Sequence, residues 1–189
     1  MTGRVIPVLF VQGAGEDVHD AWDHVLVDDL RRRLGAGYEV RYPRMPDEDA
    51  PTVLAWSAAI RAELDALGDE VTVVGHSVGG TVVAQTLAGS LPRWSVATVA
   101  LVSAPFLGDG GWPGSEFELP IDLGARLPPG TRIHIFHGLA DEVVPPEHAR
   151  VYARVIPQAR LLLLGGRDHQ LNGDMSEVAE AIRGGPPST

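Results

Sequence analysis

The sequence contains no cysteine and no lysine, and all 15 of its basic residues are arginine. Without cysteine, the chain has no thiol nucleophile, no iron–sulfur cluster and no thiolate zinc site. Without lysine, it has neither a pyridoxal Schiff base nor the lysine of a phosphate-binding P-loop. Serine, histidine and carboxylates remain to carry chemistry, and we expect no cofactor and no metal ion.

The sequence also lacks long apolar runs and an excess of positive charge. No apolar run approaches the ~20 residues that cross a bilayer. The 25 acidic residues give a net charge of −10, which repels phosphate backbones and anionic membrane surfaces. We therefore expect no nucleic-acid binding and no membrane insertion. A cytoplasmic location is the default expectation, and the sequence makes no prediction of an oligomeric state.

The length of 189 residues suits one domain. We assign residues 1–183 to a single domain and expect the turn-forming end, GGPPST at 184–189, to be disordered. Segment 106–130 is rich in glycine and proline and shows no clean periodicity. It is long enough to cover a site but too short for a separate cap domain.

Six short runs rich in Val, Ile and Leu have the pattern of parallel strands covered on both faces. They lie at residues 5–11, 38–42, 71–74, 96–102, 132–136 and 160–164, the second being the weakest. Helical patterns lie between them, at 20–34, 51–67, 79–88, 146–155 and 176–183; in the first, Trp22, Leu26, Leu30 and Leu34 recur every four residues. This alternation predicts a three-layer α/β fold with a mostly parallel sheet of about six strands.

The stretch VVGHSVGG places Ser77 between two glycines, where the third predicted strand gives way to a helix. Ligands of open parallel sheets bind at such carboxyl ends of strands. A sharp turn there exposes the serine hydroxyl and crowds the backbone around Gly75 and Gly79, so that side chains would clash. This is the G-x-S-x-G nucleophile elbow, in which the amide after the serine helps to bind an oxyanion. We predict Ser77 as nucleophile and Val78 as an oxyanion donor.

A serine nucleophile needs a base, and the base needs an orienting acid. Asp141 follows the fifth predicted strand and His169 follows the sixth. The order Ser77, Asp141, His169 is the chain order of the triad in α/β-hydrolases. Asp109 is an alternative acid, because the acid position migrates between strands in that superfamily.

The loop after the first predicted strand, Gly13-Ala14-Gly15, is expected to supply a second oxyanion donor, which we assign to Ala14. The same loop does not complete a dinucleotide-binding fingerprint, because Val18 stands where its third glycine is due.

Together these motifs resemble the α/β-hydrolase superfamily over nearly the whole chain. They are QGAG at 12–15, GHSVG at 75–79, GLAD at 138–141 with Val144-Pro145, and Asp168-His169. The small size, the Trp56 helix and the strand end LVSAP at 101–105 are similar to the compact, cap-less serine hydrolases of the retinoblastoma-binding-protein-9 type. The resemblance implies a carboxylic-ester hydrolase scaffold without the usual first two strands. Many relatives have His where Gln12 stands, and Gly where Asp168 stands.

Other candidates have both chemical and structural interpretations. Phe106, Trp112 and Phe117 are candidates for an acyl pocket, with plain core packing as the alternative. His134 and His137 lie three apart on a strand and therefore on opposite faces, which disfavours a metal pair. We expect His137 to brace the Asp141 loop and His76 to be structural.

The resulting hypothesis is a serine hydrolase that cleaves a small carboxylic ester or thioester through an acyl-enzyme intermediate. Amidase and acyltransferase activities use the same machinery and remain alternatives. From a different class, the chain could be a catalytically weak binding module that uses the Trp112 loop to hold a ligand or a protein partner.

Overall fold

The computed structural model describes residues 4–68, 70–89 and 94–184. Six parallel strands form one sheet in the order β2-β1-β3-β4-β5-β6. The strands are β1 Ile6–Val11, β2 Tyr38–Arg41, β3 Val71–His76, β4 Val96–Val102, β5 Arg132–Gly138 and β6 Arg160–Leu164. The predicted six-stranded parallel sheet is confirmed, and β3 and β4 lie at its centre.

Helices cover both faces of the sheet. They are α1 His24–Leu34, α2 Val53–Leu67, α3 Val78–Ala88, α4 Leu123–Arg126, α5 Glu147–Val155 and α6 Ser176–Ile182. One apolar core lies under α2, α3 and α5, with Trp56, Val82 and Tyr152 at its centre. A second core lies under α1 and α6 and contains Leu30 and Val178. The strands β1, β3 and β4 contribute alternate side chains to the two cores. The predicted three-layer architecture is therefore confirmed.

The helix predicted over residues 20–34 is divided in two. A π-helical turn, Val18–Asp23, precedes α1. A π-turn holds more residues than an α-turn, so the side chains that precede α1 do not continue the four-residue spacing of the predicted helix. Trp22 is consequently 59% exposed, while Asp23 turns inward and is fully buried.

Segment 106–130 packs against the body of the protein. It contains a 3₁₀ turn at Ser115–Phe117 and the short helix α4. Leu119, Leu123 and Leu127 anchor it in the core under α3. The described residues accordingly include no separate cap domain. Residues 185–189, most of the tail predicted to be disordered, lie outside them.

Across the described ranges, every helix falls short of the length and hydrophobicity that crossing a bilayer requires.

Candidate active site

Ser77 lies at the turn between β3 and α3, at the carboxyl edge of the sheet. Its backbone has φ 51° and ψ −131°, in the region that favours glycine. Its amide donates to the carbonyl oxygen of Val102 on β4, at 2.9 Å. The strained turn is thus held by the neighbouring strand, and it places the serine at the apex of the elbow.

The glycines around Ser77 are required by close backbone contacts. A Cβ atom on Gly75 would lie 2.5 Å from the Cα of Gly80. A Cβ atom on Gly79 would lie 2.1 Å from the carbonyl oxygen of Gln12. Both distances are far below van der Waals contact. The predicted crowding is confirmed, since α3 packs directly against the end of β1 and against β3.

The three predicted triad residues come together at this edge. His169 Nε2 lies 3.1 Å from Ser77 Oγ, and His169 Nδ1 lies 2.8 Å from Asp141 Oδ2. The alternative acid, Asp109, is exposed and lines a cavity of about 620 Å³ beside Gln85, toward the far end of α3. Of the two candidate acids, Asp141 is therefore the one whose carboxylate contacts His169.

The Asp141 carboxylate is buried and accepts four hydrogen bonds. Oδ1 accepts from the amides of Val143 and Val144, at 2.9 and 2.8 Å. Oδ2 accepts from His169 and from His137 Nε2, the latter at 3.1 Å. Burial by itself would raise the pKa of Asp141, but the hydrogen bonds from His137, His169 and Val144 outweigh it. The pKa of Asp141 accordingly lies well below its usual range.

His137 braces the Asp141 loop, as predicted. Besides Asp141, its Nε2 faces the carbonyl oxygen of Val144 at 2.8 Å, and since both partners only accept, this nitrogen carries a proton. His134 instead stacks on Phe136. Within the described residues, no group of three or more His, Asp or Glu side chains is arranged to hold a metal ion.

The loop after β1 lies against the elbow. A Cβ atom on Gly13 would lie 3.1 Å from Ser77 Cβ. The Gly13 amide donates to Asp23 and the Gly15 amide to the Glu48 carbonyl oxygen, each at 2.7 Å. The Ala14 amide between them makes no hydrogen bond with the described residues. Val78 begins α3, so its amide is one of the donors that a helix N-terminus leaves unpaired. The two amides predicted to bind an oxyanion, those of Ala14 and Val78, therefore have no hydrogen-bond acceptor among the described residues.

Gln12, where many relatives have His, ties this loop to the segment that precedes α2. Its side chain is fully buried. Oε1 accepts from the Met45 amide at 2.9 Å, and Nε2 donates to the Glu48 carboxylate in a short hydrogen bond. The substitution therefore keeps a polar anchor at the base of the loop.

Sequence reasoning missed Asp23, which lies in the buried layer directly behind the triad. Its carboxylate contacts His76, the residue before Ser77, at 2.9 Å. It also accepts from the side chain of Gln170, the residue after His169, at 3.2 Å. No motif marks Asp23, and its inward orientation depends on the π-helical turn before α1, which the sequence pattern did not predict. His76, predicted to be structural, is buried in this contact.

Two of the three pocket candidates pack in or against the core. Phe106 is 1% exposed and packs edge-to-face on Tyr152, as the core-packing alternative predicts. The backbone amide of Phe106 donates to His148, and this hydrogen bond fixes the chain near the core after β4. Phe117 is half-buried against the same core. Trp112 is the most exposed of the three, at 40%, and its ring lies edge-on to His148.

A parallel sheet that carries a serine elbow, followed by an aspartate and a histidine at later strand ends, is the arrangement of the α/β-hydrolases. The model of the alpha/beta hydrolase family matches residues 8–187, and the chain belongs to this family.

Solved structures share the fold at low sequence identity. The ydeN gene product of B. subtilis superposes with a TM-score of 0.75 at 17% identity, over 95% of this chain and 98% of that one. Est1E from Butyrivibrio proteoclasticus, with ferulic acid bound, gives 0.71 at 17% identity, over 96% and 88%. The monoacylglycerol lipase of Paleococcus ferrophilus gives 0.68 at 16% identity, over 96% and 93%. Among curated proteins, none matches this chain in sequence.

Proposed function

We propose that the protein is a serine hydrolase that cleaves a small carboxylic ester or thioester. The observation that carries the proposal is the continuous hydrogen-bond chain from Ser77 Oγ through His169 to Asp141. Such a chain turns a weakly nucleophilic hydroxyl into a reactive one at neutral pH.

The reaction proceeds in two halves. His169 Nε2 takes the Ser77 proton as Oγ bonds to the substrate carbonyl carbon, while Asp141 stabilises the imidazolium through Nδ1. The Ala14 and Val78 amides bind the oxyanion. Collapse breaks the bond to the alcohol or thiol, which leaves with the proton from His169. A water molecule, deprotonated by His169, then attacks the acyl-enzyme, and release of the acid returns the proton to Ser77.

The surroundings of the site favour an ester with an apolar portion. Leu139 and Val143 flank Asp141 on its loop and are 49% and 61% exposed. The described residues contain no separate cap domain that would cover Ser77. Two structural neighbours support the ester class: one holds ferulic acid and another is a monoacylglycerol lipase.

A fluorophosphonate probe followed by peptide mapping tests this function. We expect modification of Ser77 and no modification in a His169→Ala variant. Ser77→Ala should lower turnover of a small ester by roughly 10⁶-fold, as for other triad knockouts. Ser103→Ala is the matched control, because Ser103 also follows a strand with positive φ but is fully buried.

The control variant should keep its labelling and its turnover. A loss of only a few fold in Ser77→Ala would contradict the assignment of the nucleophile. Absence of labelling in folded wild-type protein would favour the binding-module alternative instead.

A further inference from the structure

A second buried acid–histidine pair lies behind the proposed triad. Asp23 ends the π-helical turn before α1, and His76 ends β3. They are 0% and 1% exposed, and His76 Nδ1 lies 2.9 Å from Oδ1 and 3.0 Å from Oδ2 of Asp23. The reaction proposed above uses neither residue. Burying an unpaired charge at such a position would cost a large amount of free energy.

The donors to Asp23 come from three different loops of the site. The Gly13 amide donates to Oδ2 at 2.7 Å, and Gln170 Nε2 donates to Oδ1 at 3.2 Å. His76 is the third donor. Each of these residues is the immediate neighbour in sequence of a proposed functional residue: Gly13 precedes Ala14, His76 precedes Ser77, and Gln170 follows His169. One carboxylate thus connects the oxyanion loop, the elbow and the histidine loop.

The hydrogen bonds of His76 indicate that it is an imidazolium. Its Nδ1 faces the Asp23 carboxylate, and its Nε2 lies 3.1 Å from the carbonyl oxygen of His169. Both partners can only accept, so both ring nitrogens must donate. Burial by itself would lower the pKa of His76, but the charge and hydrogen bond of Asp23 outweigh it and raise the pKa above its ordinary value.

We propose that Asp23 and His76 are positioning residues that hold the oxyanion loop, the elbow and the catalytic-histidine loop in register for the reaction. The proposal rests on the proposed function. Catalytic geometry is sensitive to displacements of about 1 Å, and Asp23 is the point at which the three loops meet. Since the pair is buried below the site, it affects turnover rather than substrate binding.

Asp23→Asn tests the proposal with little change of volume. An amide has one acceptor oxygen and no charge, so at least one of the three donors loses its partner. Without the negative charge of Asp23, the doubly protonated ring of His76 is no longer stabilised. We expect kcat to fall by about 10- to 100-fold, with KM changed by less than about 3-fold. The double variant Asp23→Asn/His76→Gln should lose little more than the single one, because the two residues act as a unit.

The control is Asp29→Asn on α1. Asp29 is also a buried carboxylate, bonded to Arg33 and to the amide of Met175, but none of its partners adjoins the triad. This variant should lower the midpoint of urea denaturation while leaving kcat unchanged. If Asp23→Asn does not fold, Gln170→Ala removes one donor at a half-buried position and should lower kcat several-fold.

Nitrogen-15 spectra of the His76 ring add a readout that does not depend on turnover. We expect two protonated nitrogens in wild-type protein at neutral pH and one in Asp23→Asn. A singly protonated ring in the wild type, or unchanged kcat in a folded Asp23→Asn variant beside an active wild type, would overturn the positioning role. An inactive, unlabelled wild type would overturn the proposed function itself, and the positioning role with it.

Discussion

Among single residues, Asp141 shows how a short loop fixes the orientation of a carboxylate in a proposed triad. Two consecutive backbone amides hold Oδ1, while His137 and His169 share Oδ2. The four donors keep the acid ionised although it is buried, and they leave one orientation in which His169 reaches Ser77. The strand-end position of Asp141 and the bracing role of His137 were both predictable from the sequence, because they follow from strand alternation and loop length.

The depressed pKa of Asp141 makes its contribution to stability depend on pH. Because the unfolded chain takes up this proton at higher pH than the folded chain, the contribution is full at neutral pH and is lost as pH falls below about 5. Asp141→Asn should therefore lower the free energy of unfolding by on the order of 3 kcal/mol at pH 7. Urea denaturation at several pH values should show the difference from wild type shrinking toward about pH 2. A difference that stays constant over that range would contradict the assignment.

At the scale of elements, β3 and α3 both extend closer to Ser77 than the local pattern predicts. The strand was predicted to end at residue 74 but continues to His76, because the register with β4 pairs His76 with Val102. The helix was predicted to begin at residue 79 and begins at Val78. The turn is consequently as tight as a single residue, Ser77, and its tightness explains why glycine is needed on both sides.

Gly79→Ala should separate α3 from the end of β1. The new methyl group meets a backbone carbonyl that cannot rotate away, so we expect the free energy of unfolding to fall by about 2 kcal/mol or more. The rate of fluorophosphonate labelling should fall as well, because the Gln12 carbonyl and the Ala14 amide belong to the same loop. Gly37→Ala is the control: no atom lies within 4 Å of its new methyl group and its φ is negative or extended. Equal stability of the two variants would show that the contact is not as close as described.

At the scale of the whole molecule, the net charge of −10 includes carboxylates that adjoin the proposed site in sequence. Glu16 and Asp17 directly follow the proposed oxyanion loop, and Glu142 follows Asp141; all three are exposed. The positive charge of Arg44 is paired with the carboxylates of Glu48 and Asp20. We therefore predict that the edge of the sheet that carries Ser77 presents negative charge to an approaching substrate.

This field predicts a preference for neutral or cationic esters. For a matched pair of esters that differ by one carboxylate, kcat/KM should be higher for the neutral one at low salt. The ratio should fall toward one at about 0.5 M salt, where charges are screened within a few ångströms. Discrimination that does not respond to salt would assign the preference to pocket shape instead.

The sequence by itself determined the parallel sheet, the elbow and the order of the three proposed triad residues, because each depends on a local signal: β-branched runs, glycines at a tight turn, and polar residues just after a strand. Only the tertiary structure decided which residues surround them. Asp23 meets His76 across 53 residues and Gln170 across 147, and Phe106 is buried in the core. Contacts at such separations depend on how the layers pack, and packing leaves no local pattern for the sequence to display.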